Sequence, residues 1–136
     1  METLDHFPVA NRYRGTTNYI RVLAELVRAS EYRGVTTYQD IALIMGLPLQ
    51  GAFMGKEIGH MLGEISEDEV KAGRPMLSAV AVSVVSGRPG PGFFALAKQF
   101  GRFGGESAEE EQFWRQELEA VYEMWKRPLH KPAKDT

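Results

Sequence analysis

Two local stops fix the geometry of the chain around residue 46. Thr37, with Asp40 three residues on, is placed to cap a helix N-terminus. Gly46-Leu47-Pro48 ends that helix, because glycine accepts left-handed angles while proline cannot continue a helix but suits the first turn of the next one. Between the stops, Tyr38 to Met45 has room for about two turns, with Ile41, Ala42, Ile44 and Met45 on the buried side. The spacing then predicts a second helix over Leu49 to Gly63, with Phe53, Met54, Ile58, Met61 and Leu62 as core positions. That is two helices around a tight turn, followed by a strand and a Gly/Pro loop, the order of parts in a winged-helix unit.

What surrounds the pair extends the fold. Tyr19, Ile20, Leu23, Leu26 and Val27 recur at helical spacing, which predicts a preceding helix from Thr17 that Gly34 stops. Ser66 and Glu69 suggest a short acidic helix or turn ended by Gly73. Pro75 leads into Met76 to Val85, where Val alternates with Ala and Ser as in a strand packed on one face. Ser86 to Gly92 reads as a Gly/Pro loop, Phe93 to Phe100 as a short helix, and Gly101 to Gly105 as another loop. Ser107 to Lys126 reads as a last helix with Trp114, Leu118, Val121, Tyr122 and Trp125 along one stripe, a core face or in part a dimer surface. The expected fold is α+β: a winged helix, meaning a helix-turn-helix with a small β-sheet, carrying additional N- and C-terminal helices. Residues 1–16 form an arm anchored by Phe7 and Tyr13, residues 17–127 the single domain, and residues 128–136 a flexible tail.

Composition bounds the function. With 43% hydrophobic residues the chain can build a core of its own. It has no cysteine and three scattered histidines, His6, His60 and His130, so neither a metal site nor any other cofactor is expected. The N-terminus lacks the pattern of a secretory signal and no apolar run approaches the length of a membrane span, so a cytoplasmic protein is expected. Ser78 and Ser83 lie outside any nucleophile elbow, and the runs Glu67-Asp68-Glu69 and Glu109-Glu110-Glu111 read as solvated helix starts, so no catalytic residue is assigned and no enzyme is expected.

The net charge of −2 argues against a strongly basic nucleic-acid binder, but the distribution is uneven. Lys71, Arg74, Arg88, Lys98 and Arg102 fall in a stretch without acids, bracketed by Glu64 to Glu69 and by Glu106 to Glu111. Such a segment suits a small phosphate-contacting face. The loop Gly87-Arg88-Pro89-Gly90-Pro91-Gly92 matches neither glycine-loop spacing for nucleotides, although backbone N–H groups at the start of the Phe93 helix, beside Arg88, could hold one phosphate oxygen. Gly51, Gly55 and Gly59 recur every fourth residue on the second helix, each at a cost of up to about 1 kcal/mol relative to Ala. Close approach of another backbone explains such a stripe; close approach to DNA phosphate is the functional alternative.

In a helix-turn-helix the second helix enters the major groove. The candidate DNA-binding residues are Thr37 and Tyr38 at the start of the pair, Gln50, Phe53, Lys56 and His60 on the second helix, and Lys71, Arg74, Arg88 and Arg102 beyond it. The partner expected is double-stranded DNA, bound without catalysis. The competing expectation is a protein-interaction or dimerisation module using the same scaffold and the aromatic C-terminal helix.

The run Val35-Thr36-Thr37-Tyr38-Gln39-Asp40-Ile41-Ala42, then Gly46-Leu47-Pro48, Met54-Gly55 and the Pro75-led strand resembles the DNA-binding domain of the alkylguanine-DNA alkyltransferases and their non-catalytic alkyltransferase-like relatives. The resemblance covers about sixty residues, Val35 to Phe94. It implies a winged helix and duplex binding. Where the enzymes carry Pro-Cys-His-Arg this chain has Pro75-Met76-Leu77-Ser78, so the nucleophile is not carried over. Their intruding Arg aligns with Ala52, beside Phe53, which could act as an apolar wedge if exposed.

Overall fold

The computed structural model describes residues 11–128. The first ten residues of the arm, Phe7 among them, and the tail beyond Pro128 lie outside these. The described chain is helix-rich α+β: α1 (Thr17–Glu31), β1 (Thr36–Thr37), α2 (Tyr38–Met45), α3 (Ala52–Lys71), β2 (Ala81–Val82), α4 (Pro91–Gln99) and α5 (Glu110–Trp125). Short 3-10 turns at Leu77–Val80 and Ser107–Glu109 precede β2 and α5. β1 and β2 pair in parallel, Thr36 with Ala81 and Thr37 with Val82. Among the described residues no helix is long and apolar enough to cross a membrane.

The first three elements follow their local signals. The Thr16 hydroxyl accepts the Tyr19 N–H and starts α1, which buries Val22, Leu26 and Ala29; Ile20, expected on that stripe, is 63% exposed. α2 opens on a complete Thr37–Asp40 capping box and closes on Gly46 at φ 74°. That angle lies in the left-handed region and requires glycine.

α3 corrects the expected boundaries. It does not stop at Gly63 but runs unbroken for 20 residues to Lys71, absorbing the expected separate acidic turn. The reason lies more than forty residues upstream. The Glu64 side chain, fully buried, accepts the backbone N–H groups of Arg12, Tyr13 and Arg14 at 2.8 to 3.0 Å. Arg12 pairs with Glu57 at 2.7 Å, and Arg14 pairs with Glu67 at 2.7 Å and Asp68 at 3.0 Å. Tyr13 and Tyr19 donate their phenol protons to Glu57 and Asp68. The run read as a solvated acidic face is therefore a dock for the arm.

The expected strand Met76 to Val85 is also corrected. Only Ala81 and Val82 are strand; Leu77 to Val80 turn as a 3-10 helix, and Val84 and Val85 are exposed. Residues 76 to 82 are buried on both faces, so no alternation survives. Ahead of the two residues that pair with β1, backbone groups bond to side chains: Met76 N–H donates to Glu117 at 2.7 Å, Ser78 N–H to Ser66 Oγ at 3.3 Å, and Ala79 C=O accepts the Trp114 indole N–H at 2.9 Å. α5 thus closes the core, with Trp114, Val121 and Tyr122 buried and Leu118 and Trp125 packed against them. The aromatic stripe belongs to this chain's own interior.

Removing the Glu64 carboxylate leaves three inward-facing N–H donors without partners, so Glu64→Ala should lower unfolding free energy by at least about 3 kcal/mol in urea titrations. The docked arm also makes stability depend on pH at both ends. Hydrogen bonds from Tyr13 and then Arg12 hold the Glu57 carboxyl below its usual range; at Asp68 burial works the other way, but Arg14 and Tyr19 outweigh it. Depressed carboxyls contribute stability above their unfolded values, near pH 4, and lose it as pH falls. The Tyr13 phenol is pushed up to about 12 by burial and by the Glu57 carboxylate. A raised group contributes fully below its unfolded value of about 10 and loses that contribution as pH climbs toward 12. The urea midpoint should therefore fall both below about pH 4 and above about pH 10, and Tyr13→Phe should shrink the alkaline fall.

Candidate nucleic-acid interface and adjoining pocket

α3 leaves the turn after α2 with its N-terminal half uncovered. Gly51 caps it at φ 101° without a side-chain hydrogen bond, so the first N–H groups of the helix face outward. Met54, Ile58, Met61 and Leu62 are buried as the spacing predicts, but Phe53 is 59% exposed rather than in the core. Lys56 is exposed and His60 half-buried; with Phe53 they sit three and four residues apart along one face. Among the described residues no carboxylate lies within ion-pair distance of Lys56, and Gln50 is exposed just before the helix. The fold thus brings Gln50, Phe53, Lys56 and His60 together.

The other candidates separate from this group. Thr37 is occupied as the cap of α2, and the Tyr38 hydroxyl accepts the Gly90 N–H at 2.8 Å. The acid-free segment is not a positive face, because acids flanking it in sequence fold back onto it. Arg74 forks onto Glu69 at 2.8 Å and lies over the Trp125 ring, Arg102 pairs with buried Glu117 at 2.8 Å, and Arg88 pairs with Glu111 at 2.8 Å. Lys71 stands 3.9 Å from Glu67, and Lys98 lies 5.7 Å from the Phe103 ring centroid. The hydrogen bonds to Glu69 raise the Arg74 pKa further, so its charge is committed inside the fold. The proposed phosphate nook at the start of α4 is filled internally: Gly90 N–H goes to Tyr38 and Phe93 N–H to Gly90 C=O at 3.1 Å.

Beside the uncovered half of α3 lies a pocket of about 350 Å³ between that helix, Tyr38 and the start of α4. Its walls are mainly apolar, with Met54, Ile58, Leu62, Phe93 and Leu96 around Gly55 and Gly59. A Cβ placed on Gly55 or Gly59 would meet nothing within 4 Å. The glycine spacing therefore has a different cause from the one expected. No neighbouring backbone packs against these two residues; they form bare helix surface open to the pocket, while Gly51 is a cap. The polar groups are few. Ser78 Oγ, 3% exposed, accepts from Ser66 Oγ at 2.7 Å, and burial raises the Tyr38 pKa, keeping the phenol neutral. The sequence singled out the glycines and Tyr38, but not Ser78 or Leu96 as their partners; only the fold brings residues 38, 55, 78 and 96 together.

A scan against protein-family models, a search of curated proteins and a search of solved structures each found no match.

A glycine with free space around its missing Cβ inside a helix is a stability cost without a packing reason. Gly59→Ala should raise stability by about 0.5 to 1 kcal/mol, seen as a higher thermal midpoint. A fall would mean that the space beside Gly59 is filled.

Proposed function

We propose that this chain is a winged-helix-like binder of double-stranded DNA that acts without catalysis, through the N-terminal half of α3. The observation that carries the reading is the face holding exposed Phe53 and Lys56, which no carboxylate among the described residues pairs, with Gln50 and His60 alongside, on the second helix of the α2–α3 pair. The outward N–H groups at the start of α3 suit a phosphate oxygen, Lys56 supplies the charge, and Gln50 suits an adenine edge. Phe53 presents a ring that can wedge against a base step.

The charge available is small, because Arg74, Arg88 and Arg102 are already paired with carboxylates. Binding is therefore weak and depends little on salt, and the apolar wedge carries a large share of it.

In fluorescence anisotropy with a labelled duplex at low salt, the protein should bind with a Kd of about 10⁻⁴ to 10⁻⁶ M. Lys56→Ala should weaken binding and reduce the salt slope by about one, and Phe53→Ala should weaken it about tenfold with an unchanged thermal midpoint. Arg102→Ala, which breaks an internal pair, should lower stability and leave affinity intact. Failure of the unaltered protein to shift the duplex at low salt would sink the reading.

A further inference from the structure

We infer that the pocket beside α3 is a binding site for a small, uncharged, planar ring compound carrying one hydrogen-bond acceptor. The class of ligand follows from four properties of the cavity. Its volume of about 350 Å³ lies at the lower end for ligand pockets, which suits one or two fused rings. Among the described residues no Asp, Glu, Lys, Arg or His lines it, so a charged ligand would lose its hydration without compensation.

Flatness is built into the walls. Gly55 and Gly59, one helical turn apart, leave a strip of α3 backbone bare, and a Cβ at either position would point into open space. The rings of Tyr38 and Phe93 line the same cavity. A flat ring can lie against such a strip and meet aromatic edges or faces, whereas a puckered ring of the same carbon skeleton makes fewer contacts.

Polarity is present at two points only. Ser66 Oγ accepts the Ser78 N–H and donates to Ser78 Oγ, and the Tyr38 oxygen accepts the Gly90 N–H. Each of these two hydroxyls accepts a bond here, and a hydroxyl can donate one as well. Ser78 is 3% exposed and lines the cavity, so its hydroxyl is the polar group within reach of an acceptor on a bound ring. The site needs neither DNA nor a second chain, and it stands or falls separately from the duplex reading.

The test uses three probes of matched carbon skeleton with the whole chain, followed by amide NMR shifts at Gly55, Gly59 and Gly92. The planar neutral 2-naphthol should give saturable shifts with a Kd below about 1 mM. Its saturated counterpart decahydro-2-naphthol and the charged 2-naphthoate should each bind at least about fivefold more weakly. Gly59→Leu, which fills the cavity from the α3 wall, should weaken 2-naphthol at least about tenfold. Gly59→Ala should do so in smaller measure while raising the thermal midpoint, which keeps the test valid if the leucine variant folds poorly. Ser78→Ala should weaken 2-naphthol. Absence of saturable shifts up to the solubility of 2-naphthol, equal binding of the three probes, or undiminished binding by a folded Gly59 variant would each overturn the inference.

Discussion

The fold depends on a buried carboxylate. Glu64 sits in the middle of α3 without solvent contact, a position that an acid tolerates only when its oxygens are met by donors. It is met by three successive backbone N–H groups of residues 12 to 14, which wrap around the two oxygens. That contact has two consequences. It ties the arm across the C-terminal half of α3, and it lets a helix rich in Glu and Asp run on past Gly63 where the sequence shows mutual repulsion. The arginines of the arm, Arg12 and Arg14, then neutralise Glu57 about two turns before it and Glu67 and Asp68 about one turn after it. With the arm held along α3 from Glu57 to Asp68, the face that carries Phe53, Lys56 and His60 is left uncovered, and the candidate surface is there.

Much of the architecture was legible because its signals are local. The Thr37–Asp40 box, Gly46, and the periodic stripes of α1, α2 and α5 each state their structure within about eight residues. The misread segments failed for one shared reason: their meaning is set by distant partners. The acidic run from Glu64 to Glu69 reads as solvated unless Arg12 and Arg14 are placed on it, more than fifty residues away. The Val/Ala/Ser alternation from Met76 to Val85 reads as a strand unless Trp114, Glu117 and Ser66 are known to take its backbone groups. A period of two in a chain of small apolar residues records composition as much as geometry, because Ala and Ser are accepted on a buried face as readily as on an exposed one.

The same limit explains the charge pattern. Five cations in a row without an acid suggest a positive surface only if nearness in sequence means nearness in space. Here Glu69, Glu111 and Glu117, from α3 and α5, converge on Arg74, Arg88 and Arg102 and turn the segment into internal ion pairs. Arg102 and Arg74 bind carboxylates that are themselves nearly buried, so withdrawing either cation toward a phosphate would strand a charge in the interior. Exposed pairs such as Arg88–Glu111 are different, since water screens them and they exchange partners at little cost.

Glycines 55 and 59 connect stability to function in this chain. A helix that must be rigid enough to hold Glu64 in place gains from alanine at every exposed interior position, and neither glycine is protected by a clash or by a positive φ. The cost of keeping them is borne in the half of α3 that the arm leaves uncovered and that faces the pocket. The C-terminal half, held to the arm through Glu64, Glu67 and Asp68, supplies stability that offsets the two bare glycines. Alanine at the glycine strip would make a more stable helix and narrow the cavity in the same step, so stability and binding compete at the same two residues.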